Sequence, residues 1–432
     1  MKLKNIAWNL AGLGGPLIVA ALTIPALIRM IGMERFGLLA LAWGLIGFAG
    51  IFDLGIGRAT TQTIARLRGD NQLEQVPAVL NTAATLSFRT GLAGALLLGF
   101  AVMLDVHTNI KYATGLTTEV TIASYILALT IPIQSMSAMF RGVNEAFENF
   151  REISLLRIGL GITNFLGPFC VAKFTSNLAV LVSILLISRA IAFLLFRKFA
   201  KDCLAREFQT KLQTMGNQIS PAIAKKLLAF GSWLTLSSLM SPIYFSADRF
   251  LIGTLISATA IATYTIPFEI VTQTLIIVGA IASVAFASLS SMVHSQPEKS
   301  DLLFSTWLHR VAAIMFFVVM LCAIILPTIL PWWIGPTLPA QSIYIGQILC
   351  VGIFSNSIGI MYYSLLHAYG RADITAKLQI FQLPIYLSAL YLMITSFGPI
   401  GAAFTWSGRC TLDAILLWRA QKKIAKIYGK DK

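Results

Sequence analysis

Several ionisable side chains stand where the surrounding sequence offers them little water. Arg89, Arg189, Asp248, Glu269 and Arg409 interrupt long apolar runs, and Arg29 and Arg249 stand at the ends of others. An ionisable group inside a membrane is costly, and it usually faces a bundle interior or a wet cavity. Guanidinium donates paired hydrogen bonds to phosphate or carboxylate. A surplus of Arg29, Arg89, Arg249 and Arg409 would therefore hold an anionic substrate. Asp248 and Glu269 are candidates for coupling to H⁺ or Na⁺, because a carboxylate in a low-dielectric site can exchange protons near neutral pH. The plainer roles are structural. Arg409 has Asp413 one turn on as a partner, Arg189 can snorkel to the nearer interface, and either acid can pair with an Arg. Asp53 stands at the end of a helix and is expected to organise the adjoining turn.

Uncharged polar residues accompany these groups at i, i+4 spacing, which is one helix face. The stripes are Asn81, Thr85 and Arg89; Ser237, Ser241, Tyr244 and Asp248; Thr265, Glu269 and Gln273; Gln379, Gln382 and Tyr386; and Thr405, Arg409 and Asp413. Taken singly, each stripe reads equally as interhelical glue. Together they imply a hydrated central cavity.

The elements that position these residues are membrane helices. Mean hydropathy is +0.78. Charged residues make up 12% of the chain, about half the usual share for a soluble protein. Residues 10–28, 120–140, 227–247 and 311–370 carry no Asp, Glu, Lys or Arg. About 20 apolar residues suffice to cross a bilayer core as a helix, and no short alternating segments suggest a barrel. The chain divides into spans at roughly 10–31, 37–58, 78–104, 119–141, 153–173 and 177–197, then 226–248, 262–290, 308–330, 342–367, 376–396 and 399–419. The fold class is all-α integral membrane, with about twelve transmembrane helices in two six-helix bundles. The expected organisation is an N-terminal bundle over 1–200, a cytoplasmic linker over 201–225, a C-terminal bundle over 226–420 and a basic tail over 421–432.

The positive-inside rule sets the orientation. Of 33 Lys and Arg, only Arg29, Arg35, Lys111, Lys173 and Arg249 fall outside, and Arg89, Arg189 and Arg409 within helices, when the N-terminus is cytoplasmic. Residues 250–297 are uncharged except for Glu269 and are long enough for two spans. Two would put the basic tail outside, so one span is expected. The first apolar run is too long for a cleaved signal and lacks an A-x-A site. The basic residues are spread over many loops, which argues against a nucleic-acid partner. The five Cys are scattered and form no CxxC pair. Neither GxxxxGK[ST] nor HExxH occurs, so no cofactor or metal is expected, and a transporter is favoured over an enzyme.

Two motifs make the class more specific. Gly32-Met33-Glu34-Arg35-Phe36-Gly37 is followed by Phe52-Asp53-Leu54-Gly55-Ile56-Gly57-Arg58. They resemble the outer loop and second-helix ending of the polysaccharide (O-antigen, Wzx-type) flippase family of the multidrug/oligosaccharidyl-lipid/polysaccharide (MOP) superfamily. Ala247-Asp248-Arg249-Phe250-Leu251-Ile252-Gly253 looks like the family's helix-7 ending, and Tyr264 to Pro267 matches the start of its eighth helix. The resemblance implies a MATE-like, V-shaped pair of bundles around a cationic cavity. It also implies ion-coupled, alternating-access translocation of an undecaprenyl-diphosphate-linked oligosaccharide across a bacterial inner membrane, with both termini cytoplasmic. Contacts with a polysaccharide polymerase or ligase would follow. A multidrug antiporter of the same superfamily is the alternative, but no acidic residue stands in the first helix. A glycan polymerase would need a larger outer loop than any available here.

Overall fold

A computed structural model describes residues 3–70, 72–208, 220–292, 297–335 and 338–428. Among them there is no strand. The helices are α1 (Leu3–Phe48), α2 (Ile56–Gly69), α3 (Val76–Met103), α4 (Thr117–Ala146), α5 (Phe150–Ala172) and α6 (Leu178–Phe208). They continue as α7 (Pro221–Leu255), α8 (Ala258–Thr272), α9 (Leu275–Met292), α10 (Pro297–Ile334), α11 (Gln341–Ala368) and α12 (Ala372–Tyr428). Eight helical segments among the described residues are long and apolar enough to cross a membrane. Large apolar side chains such as Leu96, Phe100, Phe317 and Ile324 are exposed, whereas Thr130, Ser135, Asn144 and Ser357 are buried. A surface that apolar is a liability in water and the expected boundary in lipid. The protein is a multi-pass membrane protein.

Two glycines turn single helical runs into pairs. Gly32 breaks α1 at φ +82°, and Gly398 breaks α12 at φ +63°. Both are backbone conformations that a residue without Cβ adopts most readily. The second predicted span ends earlier than its apolar pattern suggested. The helix stops at Phe48, a 3₁₀ turn covers Ala49–Asp53, and α2 starts afresh at Ile56. Asp53 directs this restart: its carboxylate accepts the Gly57 N–H at 3.1 and 3.3 Å. Leu54 and Gly55 between them take positive φ. Asp53 thus organises the turn, as its position in the sequence suggested.

In the region 250–297, the described residues after α7 ends at Leu255 form α8 and α9. α8 and α9 are joined by a turn in which Thr274 and Ile276 donate to Val271 and Gln273. Both helices pack along α11.

The chain divides into two compact units, Met1–Ile243 and Tyr244–Lys432. The division falls within α7 and not in the polar stretch 201–225. Leu227 is part of the first unit's core, and the Ser220 N–H donates to Thr82 Oγ1.

In the first unit α4 is the hub, packed against α2, α3 and α6. The amphipathic helix α2 buries Ile56, Ala59, Ile64 and Leu67, which recur at three- to five-residue intervals along one face. Its approach to α4 requires glycine. A Cβ on Gly57 would lie 2.7 Å from the Ala138 carbonyl oxygen, and one on Gly142 would overlap the Gly57 carbonyl. Such small-residue crossings let membrane helices touch through their backbones. Gly142→Leu is expected to force α2 off α4 and to destabilise the protein by roughly 1–3 kcal/mol. Thermal unfolding in detergent would show this, and an unchanged midpoint would refute the close crossing.

In the second unit α11 plays the same part, packed against α8, α9, α10 and α12. Gly352 on α11 faces Ser407 and Trp406 of α12, and Ser407 Oγ donates to the Ile348 carbonyl at 2.9 Å.

Candidate functional site: a buried cationic cluster in the second unit

The end of α7 carries Asp248 and Arg249, both buried. Asp248 Oδ1 accepts the Arg249 backbone N–H at 2.7 Å. Its Oδ2 accepts the hydroxyl of Tyr264, from the second turn of α8, at 2.5 Å. One turn further along α8, Glu269 Oε1 accepts from Arg249 Nη2 at 2.5 Å. The spacing of Tyr264, Phe268 and Glu269 sets three contacts on one helix face. The middle one is the ring of Phe268, 5.3 Å from the guanidinium of Arg249. The pair is uneven: the Arg249 side chain is 9% exposed and that of Glu269 46%. Arg249 is therefore fixed in the interior between two acids, while Glu269 reaches a more open environment.

A second cation lies on α12. Arg409 does not pair with Asp413, although i, i+4 spacing made that the simplest arrangement. The guanidinium turns to aromatic faces, 4.3 Å from the ring centre of Tyr244 and 5.8 Å from that of Tyr386. Asp413 Oδ1 accepts instead from Gln382 Nε2, across the two halves of α12, at 2.9 Å. The Tyr244 hydroxyl donates to the Gln379 carbonyl at 2.6 Å, which locks the ring beneath Arg409. The π face contributes attraction that strengthens where water is scarce, but it supplies no formal negative charge. No carboxylate forms an ion pair with Arg409 among the described residues.

Several buried donors nearby have no partner: Arg249 Nε, Arg409 Nε, the Tyr386 hydroxyl and Trp406 Nε1. Thr265 Oγ1 is in the same position. An unmet buried donor costs about 1–3 kcal/mol, so each of these groups gains if an acceptor atom reaches it. The arrangement sets two guanidinium groups and two carboxylates close to unpartnered donors.

Of the residues singled out from sequence, Asp248, Arg249, Glu269, Gln379, Gln382, Tyr386 and Arg409 all belong to the second unit. Gln379 contributes its carbonyl to this cluster, and Gln273 caps the end of α8. The side chains of Ser237 and Ser241 lie outside the described set. Asn81, Thr85, Arg29 and Arg89 belong to the first unit. Thr85 donates to the Asn81 carbonyl within α3, and Arg29 and Arg89 are both exposed. Arg189 does not snorkel. Its Nη2 donates to Asn164 Oδ1 of α5 at 3.0 Å, which ties α6 to α5. Arg35 is likewise a tie: it makes two hydrogen bonds to Glu119, at 2.8 and 3.1 Å.

Sequence reasoning missed the aromatic part of the cluster. Tyr264, Phe268 and Trp406 are fully or nearly fully buried and contact one another in series, tilted at 5.5 Å and then edge-to-face at 5.3 Å between ring centres. An aromatic within a span looks the same whether it faces lipid or a guanidinium. The one available signal was Tyr264 at the opening of α8, sixteen residues after the interior acid at Asp248.

Comparison with known proteins adds to this geometry. The family model described as "Polysaccharide biosynthesis protein" matches residues 2–293. A Shigella flexneri protein named "Putative O-antigen transporter" is 27% identical over 99% of both chains. Among solved structures, an inward-facing multidrug resistance MATE family transporter of the MOP superfamily superposes with a TM-score of 0.76 at 17% identity, covering 98% of this chain and 99% of that one. A Vibrio cholerae MATE transporter gives 0.61 at 16% identity, over 98% and 96%. The structural likenesses establish a MOP-type transporter fold.

Proposed function

The chain belongs to the polysaccharide biosynthesis protein family, and from that membership we propose that it is a flippase for undecaprenyl-diphosphate-linked oligosaccharide units. The cargo, an O-antigen or other surface-polysaccharide repeat unit, moves from the inner to the outer leaflet of the bacterial inner membrane. Movement is by alternating access and is driven by an H⁺ or Na⁺ gradient, with both termini cytoplasmic. A surface-polysaccharide polymerase or ligase would take up the product. The N-terminal and C-terminal bundles supply the two halves. The observation that carries this reading is the full-length match to the protein named "Putative O-antigen transporter".

The chemistry of the second unit supports it. The cargo presents a diphosphate, and Arg409 lies against aromatic rings, without a carboxylate in direct contact, beside unpartnered donors. Arg249, Arg29 and Arg89 extend the cationic surplus in the proposal. Asn81, Thr85, Gln273, Gln379, Gln382 and Tyr386 are assigned as polar contacts for sugar or diphosphate, and Asp248 and Glu269 as coupling groups.

The test is the lipid-linked glycan pool in a deletion strain, complemented with wild type and with Arg89→Ala and Arg409→Ala. Accumulated undecaprenyl-linked units that wild type clears, and that Arg409→Ala clears about tenfold more slowly, are expected. One lost charge-assisted contact of about 1.4 kcal/mol gives that factor. An unchanged pool together with raised drug sensitivity would identify a multidrug exporter instead.

A further inference from the structure

The two halves of α12, before and after Gly398, form a hairpin that is tight at one end and open at the other. Near the bend, a Cβ on Gly401 would overlap the backbone of Met393, so the halves touch through their main chains. Two turns further, a Cβ on Gly408 would meet no atom within 4 Å. Glycine inside a helix costs up to about 1 kcal/mol relative to alanine. At Gly401 close packing explains the glycine; at Gly408 packing does not. The bare backbone there leaves the side of a cleft of about 260 Å³ open.

The lining of this cleft is divided. Its floor is Gln382, Tyr386 and Arg409, and its walls include Ile385, Phe404 and Leu412. The floor carries buried donors without partners. Tyr386 is 3% exposed with its hydroxyl unpartnered, and Arg409 Nε is buried and unpartnered too. Asp413, the acid nearest in sequence, is engaged by Gln382. Ile385, Phe404 and Leu412 offer hydrocarbon and are all exposed on the surface of the unit, while the Thr405 hydroxyl, which also lines the cleft, is spent on the Gly401 carbonyl. Arg409 stands about 16 Å along the helix from Gly398 at ~1.5 Å per residue. That depth is near the middle of a bilayer core of about 30 Å.

A floor of cationic donors under apolar walls fits one kind of molecule: a phosphate attached directly to a hydrocarbon chain. We propose that the α12 cleft seats the prenyl-phosphate end of the transported lipid, with phosphate oxygens on Arg409 and Tyr386 and the first isoprene units along Ile385, Phe404 and Leu412. This rests on the flippase reading above and adds where the lipid chain is held. A membrane phospholipid shares the chemistry of phosphate plus chain, so the test must separate the two sources.

The probe is a farnesyl diphosphate carrying a diazirine at the chain end, added to the full-length protein in zwitterionic detergent. After illumination, label is expected on α12 between 385 and 412. Unlabelled farnesyl diphosphate should compete, while inorganic diphosphate or phosphatidylglycerol should need at least about tenfold more, corresponding to ~1.4 kcal/mol. Gly408→Leu fills the cleft at a position with room for it and removes a helix-interior glycine. It should cut labelling by about tenfold with the unfolding midpoint unchanged or raised. Arg409→Gln should cut labelling similarly, and Ala389→Leu offers a second filling variant should Gly408→Leu fold poorly. Label on other helices, or α12 label indifferent to filling, overturns the proposal. Equal competition by phosphatidylglycerol also overturns it and makes the cleft a seat for bulk lipid. The flippase reading fails separately. Cleft-specific label in a protein whose deletion leaves the lipid-linked pool unchanged would remove the function and keep the site, and normal clearance with label elsewhere would do the reverse.

Discussion

Arg249→Ala is expected to destabilise the protein severely, and Glu269→Ala only slightly, although the two side chains form one ion pair. The difference follows from burial. Arg249 stands between Glu269 and the fully buried Asp248. Removing its guanidinium leaves Asp248 with a negative charge in the interior and no cation beside it. Breaking a buried pair from one side typically costs about 3–5 kcal/mol. Removing Glu269 is different. Its side chain is 46% exposed, and Arg249 keeps Asp248 as a counter-charge. The loss is then closer to that of an exposed pair, about 0–1 kcal/mol.

Folded yield and thermal unfolding of the single variants measure the order directly. A double variant sharpens the test. Asp248→Asn removes the charge that Arg249→Met strands, so Arg249→Met should cost less in that background, by at least about 1 kcal/mol. Equal losses from Arg249→Ala and Glu269→Ala would mean that Asp248 is not charged or not dependent on Arg249. The transport assay then separates structure from function. A well-folded Asp248→Asn/Arg249→Met protein that still clears lipid-linked glycan would deny Arg249 any role in binding the cargo.

How much of this was legible beforehand differs between backbone and side chains. The helices were, because length and uncharged runs are all that a bilayer requires. The two glycine breaks were partly so: Gly32 opens one motif, and Gly398 precedes Pro399. The motifs themselves turn out to serve architecture. Asp53 caps a turn, Gly57 admits α4, and Glu34 accepts the Ala113 N–H at 2.7 Å. Motifs of this kind locate a family through its joints, while the cluster that could do chemistry lies in residues with no local signature. Arg409 shows why. At i, i+4 from Asp413 it has a local partner available, yet Gln382, thirty-one residues earlier, takes that acid, and Tyr244 and Tyr386 take the guanidinium. Helix periodicity assigns residues to a face. It does not say which helix that face meets, so Arg89 and Arg409 looked alike although one is exposed on α3 and the other is packed among aromatic rings.

Asp248→Asn should leave a folded protein that no longer couples transport to an ion gradient, if Asp248 serves as the coupling group proposed for it. The substitution is conservative in shape. The remaining carbonyl oxygen can still accept the Arg249 N–H, now held at 2.7 Å. The Tyr264 hydroxyl, which now donates to the carboxylate at 2.5 Å, can reverse and accept from the new amide, since a hydroxyl both donates and accepts. What disappears is a group able to change its charge. In a cycle driven by a gradient, binding and release of the ion must shift the balance between two conformations. A ligand shifts such a balance only by its differential affinity for the two states. With a permanent amide that difference is gone, while the cargo site at Arg409 is untouched. Proteoliposomes should therefore keep exchange of lipid-linked cargo between leaflets and lose accumulation against a gradient, by about tenfold or more for a coupling of at least ~1.4 kcal/mol. Glu269→Gln, at the second proposed coupling group, should also weaken accumulation but by less, because Glu269 is hydrogen-bonded to Arg249 here while Asp248 is fully buried. Loss of accumulation in Glu269→Gln and not in Asp248→Asn would transfer the coupling role to the more exposed acid. Arg249 would then be the element that senses it, released from one carboxylate and left to the other.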